Sequence, residues 1–122
     1  MIRGLGCDVC AVERMRIIMQ DSRFLERWFT GEEREYIGAR KNAAETAAGI
    51  FAAKEAFAKA LGAGFTALTP DHVAVGHDES GAPCYRINEK MRAALERRGA
   101  ETAFLSISHD GGVAMAVCVL EG

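Results

Sequence analysis

Ala43-Ala44-Glu45-Thr46-Ala47-Ala48-Gly49-Ile50-Phe51-Ala52-Ala53-Lys54-Glu55-Ala56-Phe57-Ala58-Lys59-Ala60-Leu61 contains nothing that breaks a helix except the tolerable Gly49. Asn42 with Glu45 is a capping signal at its start, and Gly62 and Gly64 end it. Alanine along most of its length, interrupted by Ile50, Phe51, Phe57 and Leu61, makes a helix over roughly 43–61 that packs closely and lies mostly inside. This helix is the central element, and the remaining segments are read as its coverings.

On the N-terminal side, residues 2–9 form a strand in which a period of two puts Gly4, Gly6 and Asp8 on one face, with Asp8 at the strand's end. Residues 11–20 place Val12, Met15, Ile18 and Met19 at helical spacing, and Phe24, Leu25 and Trp28 repeat the pattern in a second short segment. Thr30-Gly31-Glu32-Glu33 is a capping box that starts a helix near residue 31. On the C-terminal side, 72–77 and 83–87 flank Asp78-Glu79-Ser80-Gly81 as a hairpin. Asn88 caps a helix that carries Met91 and Leu95 and stops at Gly99. Strands over 103–109 and 113–120 meet at the turn Asp110-Gly111-Gly112. The order, written β-α-α-α-β-β-α-β-β, predicts an α+β fold with an antiparallel sheet packed on the long alanine-rich helix. Without a linker or repeat, residues 1–122 read as a single domain.

Of the 122 residues 49% are hydrophobic, enough for one core, and a formal charge of −2 lacks the basic excess of a nucleic-acid binder. No apolar run approaches the ~20 residues of a membrane span. Met1-Ile2-Arg3-Gly4 is not built like a signal peptide, so a soluble cytoplasmic protein with reduced Cys7, Cys10, Cys84 and Cys118 is expected.

The charged residues within Phe51 to Lys59 stand out against alanine and aromatics. Glu55 and Lys59, one turn apart, form either a surface ion pair or, because Phe51 shares their face, part of a site in which a half-buried glutamate needs a partner. A divalent metal held with a second carboxylate is one such partner, and Asp8 is the candidate; its other reading is a turn or cap residue. In Leu105-Ser106-Ile107-Ser108-His109-Asp110, alternation puts His109 on the face of Leu105 and Ile107, either as a structural histidine or as a polar group in a cleft beside the alanine-rich helix. Ser106 and Ser108 fall on the opposite face, against a Ser-His nucleophile along this strand. Cys7 and Cys10 match C-x-x-C but lie on opposite faces of a strand, with no second pair to complete a zinc tetrad, and read as small core hydrophobes. Gly111-Gly112 belongs to no phosphate-binding motif and reads as a turn.

Taken together and in order, Ile2-Arg3-Gly4-Leu5-Gly6-Cys7-Asp8-Val9, the Phe51 to Lys59 segment and Leu105-Ser106-Ile107-Ser108-His109 resemble the holo-acyl-carrier-protein synthases, a family of 4′-phosphopantetheinyl transferases. Arg23-Phe24, Phe29-Thr30-Gly31-Glu32-Glu33 and Gly81-Ala82-Pro83 extend the resemblance over residues 1 to 120. It implies transfer of 4′-phosphopantetheine from coenzyme A to a serine of apo-acyl carrier protein, with release of 3′,5′-ADP, by a homotrimer whose active sites lie at subunit interfaces. Carried over by position, Asp8 and Glu55 match the carboxylates that hold Mg²⁺, and Lys59 a lysine that assists the leaving group. Lys54, Ser108 and His109 match positions near coenzyme A, and Arg14, Arg23 and Arg27 the side that grips the acidic carrier. Ile50 stands where the family often has arginine and Ala82 where it often has lysine. Lower coenzyme affinity, or compensation by Arg40, Lys41 or Arg86, is the expected consequence. The competing readings are a non-catalytic coenzyme A or carrier-binding module of the same fold, supported by Ile50 and Ala82, and a thiol-metal or redox protein built on Cys7 and Cys10.

Overall fold

A computed structural model describes residues 1–65 and 68–122. Strand β1 (Ile2–Ala11) leads into helices α1 (Val12–Ile18), α2 (Ser22–Trp28), α3 (Gly31–Gly38) and α4 (Ala43–Leu61). A 3₁₀ turn (Pro70–His72) precedes β2 (Val75–His77) and β3 (Pro83–Tyr85), and α5 (Glu89–Arg97), β4 (Thr102–Asp110) and β5 (Val113–Glu121) complete the chain. The segments expected from the sequence are present, and the two short helical segments around Met15 and Phe24 are separate helices, so four helices precede β2 where the written order counted three. Asp21 divides them, because its carboxylate accepts from the Arg23 amide and starts α2 afresh. Thr30 and Glu33 form the reciprocal capping box of α3, and Asn42 and Asn88 cap α4 and α5 through the amides of Glu45 and Met91. Gly62, in the left-handed region at φ 81°, closes α4 as only a residue without a Cβ does easily.

β1, β5 and β4 form one antiparallel sheet in that order, with Asp8 opposite Ala116 and His109 opposite Ala114; β2 and β3 pair separately. One face of the three-stranded sheet lies on α4. Gly4 and Gly6 approach the backbone carbonyl oxygens of Ala60 and Ala56 so closely that a Cβ at either position would collide with them. Farther along the helix, Gly49 faces Ile107 and His109 of β4. Ala114, Ala116, Cys118 and Leu120 of β5 are buried beneath the same helix in one continuous core. The opposite face of the sheet is bare: Leu5 is 67% exposed, Val9 62% and Phe104 52%, with Met115 and Val113 beside them.

A second layer of α3, the 3₁₀ turn and β2 is fastened to α4 by a buried ion pair. The Lys54 ammonium lies 2.7 Å from Glu33 Oε1 and donates to the carbonyl oxygens of Pro70 and Val73 at 2.9 and 2.6 Å. Glu33 in turn accepts from the amides of Thr30 and Val75. Burial holds the lysine below its usual pKa, against the opposing pull of Glu33. Tyr85 completes the attachment by donating its hydroxyl to the carbonyl of Ala53 at 2.6 Å.

Two outcomes are expected. Gly6→Ala drives β1 off α4, lowering stability by about 3 kcal/mol in urea unfolding, since both colliding atoms belong to the helix backbone. Burial pushes the Cys118 thiol from 9.0 up to about 11. The unfolded chain therefore loses this proton first as pH rises, so the stabilisation is complete below pH 9 and declines toward pH 11. The decline amounts to about 2 kcal/mol by pH 11; denaturant titrations should show a correspondingly shallower alkaline loss in Cys118→Ala than in the parent.

Candidate active site

Because Gly4 and Gly6 bring β1 onto α4, Asp8, two residues further along the same face, arrives beside the outer turns of the helix. Lys59 Nζ donates to Asp8 Oδ1 at 2.9 Å and to the Cys7 carbonyl at 3.1 Å. The ion pair is therefore made across to the strand and not along the helix to Glu55. The lysine side chain is 53% exposed and the aspartate 17%, so the ammonium covers the carboxylate from the solvent side. Its hydrogen bond to Asp8, and then the Asp8 charge, raise the lysine's pKa.

Glu55 is half-buried and makes no hydrogen bond or ion pair with the described residues. Burial and then the neighbouring Asp8 raise its pKa, while Lys59 and Arg14 oppose the shift. Two carboxylates that penalise each other's charge suit a shared cation. Among the described residues no group of three His, Cys, Asp or Glu side chains gathers to hold a metal. Two carboxylates are a donor set of the kind a hard ion such as Mg²⁺ uses, binding through one or two carboxylates and taking its other ligands from water and phosphate. Asp8 and Glu55 would hold it.

A second polar cluster lies at the other edge of the sheet. A cleft of about 330 Å³ is bordered by Tyr36, Arg40, Gly49, His77, Pro83 and His109. The His109 ring occupies the space that a side chain at Gly49 would need. Tyr36 stacks on His77 with ring centroids 4.1 Å apart, and the Arg40 guanidinium sits 5.2 Å from the Tyr36 centroid. Burial, then the charges of Arg40 and Arg86, hold His77 below its ordinary pKa. Ile50 lines this cleft beside Arg40, and Arg86 lies in the adjoining pocket on the other side of His77.

The structure thus brings together Asp8, Glu55 and Lys59, adds Arg14 of α1 as a nearby charge, and separates them from His109. His109 lies two strands and two register positions from Asp8, on the order of 12 Å. Ser108 points to the bare face, opposite His109, as alternation required. Arg23 and Arg27 border a surface cleft with Phe24 on α2. Lys54 is corrected: its side chain is fully buried and its ammonium contacts are Glu33 and two backbone carbonyls, so it is a structural cation and not a coenzyme contact. Cys7 is exposed and Cys10 buried, so the two free thiols open to different sides of the strand. Sequence reading missed the roles of Tyr36 and His77. Their partnership spans two elements far apart in the chain, and neither sits in a pattern that marks it.

The 4′-phosphopantetheinyl transferase superfamily model matches residues 4–118, and the chain belongs to that family. Within it, the chain is 40% identical over 123 residues to the holo-[acyl-carrier-protein] synthase of Treponema denticola, covering 100% of both. The holo-[acyl-carrier-protein] synthase of Neisseria meningitidis has a similar structure, with a TM-score of 0.91, 31% identity and complete coverage of both chains. The Bacillus anthracis synthase in complex with coenzyme A (3′,5′-ADP) has a TM-score of 0.84 at 32% identity, over 100% of this chain and 98% of that one.

Lys54→Met should cost about 3–5 kcal/mol in urea unfolding, because it leaves Glu33 buried without its counter-charge. The double variant Lys54→Met/Glu33→Gln should regain a large part of that loss.

Proposed function

We propose that this transferase moves 4′-phosphopantetheine from coenzyme A to a serine of apo-acyl carrier protein with Mg²⁺ bound, releasing 3′,5′-ADP, and that it works as a cytoplasmic homotrimer. The observation that carries the reading is the Asp8, Glu55 and Lys59 cluster in a chain of this family. Coenzyme A bound to the similar Bacillus anthracis protein supports the same substrate here. Among the described residues no helix is long and apolar enough to cross a membrane.

In the reaction the carrier serine oxygen bonds to the β-phosphorus, the phosphoanhydride bond to the adenosine side breaks, and the serine proton is lost. Negative charge grows on the leaving phosphate, where the Lys59 ammonium stabilises it. Asp8 and Glu55 would hold the metal, and either would take the serine proton through a water. A Mg²⁺ ion held there would supply charge neutralisation to the transferred phosphoryl group. His109 and the Arg40 and His77 side of the cleft take the coenzyme's other end.

The trimer is supported by two features of one chain. The bare sheet face carries Leu5, Val9, Phe104 and Met115, an apolar surface suited to a second copy. The Asp8 cluster and the His109 cleft sit at opposite sheet edges, so a ring of copies sets one chain's trio against its neighbour's cleft. Arg14, Arg23 and Arg27, exposed on α1 and α2, form the basic approach for an acidic carrier.

Intact-mass spectrometry of an apo-acyl carrier protein incubated with the enzyme and coenzyme A tests the proposal. A gain of one phosphopantetheine with Mg²⁺, abolished by EDTA and reduced about a hundredfold or more in Asp8→Ala or Glu55→Ala, is expected. Coenzyme binding without mass gain on several carriers would favour the non-catalytic module.

A further inference from the structure

The Asp8 carboxylate has two claimants. In this structure it is held by Lys59, and in the proposed reaction it belongs to a divalent cation. We propose that Lys59 is the resident counter-ion of the metal seat, neutralising Asp8 and Glu55 while no divalent cation is present and released toward the reacting phosphates when one binds. The inference rests on the metal reading given above and adds a coupling between metal loading and the lysine's position.

The geometry supports an exchange. Lys59 reaches Asp8 over the solvent side, with Nζ 2.9 Å from Oδ1 and 3.1 Å from the Cys7 carbonyl, and its side chain is 53% exposed. The side chain is half open to solvent, and a compact charge on a flexible four-carbon stem swings at little cost. Glu55 has no hydrogen bond of its own among the described residues, so the lysine's charge is shared between the two carboxylates although its bond goes to only one. The contrast with Lys54, five residues earlier on α4, is instructive. Lys54 is sealed and held by three acceptors, a fixed structural cation, whereas Lys59 is open and held by two.

The exchange has a chemical consequence. While Lys59 is bonded to Asp8 its ammonium is directed at the strand and not at a leaving group. A metal that takes over the carboxylate charge frees that cation for the phosphate. Metal entry thereby assembles two elements of the site in one event.

The test uses Mn²⁺ as the probe, its binding to the full-length protein followed by electron paramagnetic resonance without coenzyme A. Removing the competitor in Lys59→Gln should tighten Mn²⁺ binding about fivefold, the scale of an exposed ion pair. Arg14→Gln is the control for simple charge removal, since the Arg14 charge acts on Glu55 without a bond to Asp8. It should give a clearly smaller gain. In the parent protein, Mg²⁺ should shift the Lys59 ammonium resonance, assigned by its absence in Lys59→Gln, toward that of a free lysine. Equal gains in the two variants, no gain in Lys59→Gln, or an unmoved ammonium signal with Mg²⁺ bound would overturn the exchange while leaving the metal site standing. Failure of Mn²⁺ to bind any of the proteins, with or without coenzyme A, would overturn the metal reading and the exchange with it.

Discussion

The absence of side chains at Gly4 and Gly6 is the constraint on which the arrangement depends. It lets the first strand lie against the carbonyl oxygens of Ala60 and Ala56, closer than any other residue type permits. Alanine on the helix is the matching half of the fit. This contact buries the middle of the sheet beneath α4, and it also sets Asp8 within hydrogen-bonding reach of Lys59, which is fifty-one positions away in the chain. A looser helix-sheet packing with larger side chains would serve a core equally well and would separate the charged groups.

The helix carries two lysines whose different surroundings give them different work. Lys54 faces the second layer, where Glu33 and two carbonyls surround it and no solvent reaches it. Such a pair contributes little net stability over an apolar substitute, but it cannot lose one member without leaving a buried charge. It therefore fixes how α3 and β2 sit on α4, and with them the Tyr36 and His77 wall of the cleft. Lys59 faces outward at the sheet edge with its side chain half exposed. The same side-chain chemistry thus serves as a sealed tie at one position and a solvent-facing charge at another, and burial is what separates them.

The strand order adds a further division. β5 lies between β1 and β4, so the Asp8 cluster and the His109 cleft occupy opposite margins of one sheet. Both flank the apolar face that α4 does not cover. A chain with a polar cluster at each edge and an uncovered apolar face between them is what the proposed ring of copies requires.

Much of this was legible in the amino-acid order because it depends on local rules. Capping residues Thr30, Asn42 and Asn88, the helix over 43–61, the tight turn before Gly112 and the facing of His109 with Ile107 all follow from chemistry within a few positions of each residue. The motif containing Asp8, Glu55 and Lys59 could likewise be picked out before any coordinates. Which charge meets which could not. Spacing along a helix suggests Glu55 with Lys59 and leaves Lys54 beside them as an equal, whereas the folded chain gives Lys59 to Asp8 and Lys54 to Glu33. The sequence by itself determined the elements, their faces and the residues able to do chemistry, since these are set by periodicity and side-chain type. Only the tertiary structure decided the pairing of charges and the stacking of Tyr36 on His77, because both depend on desolvation and on distances between segments that are remote along the chain.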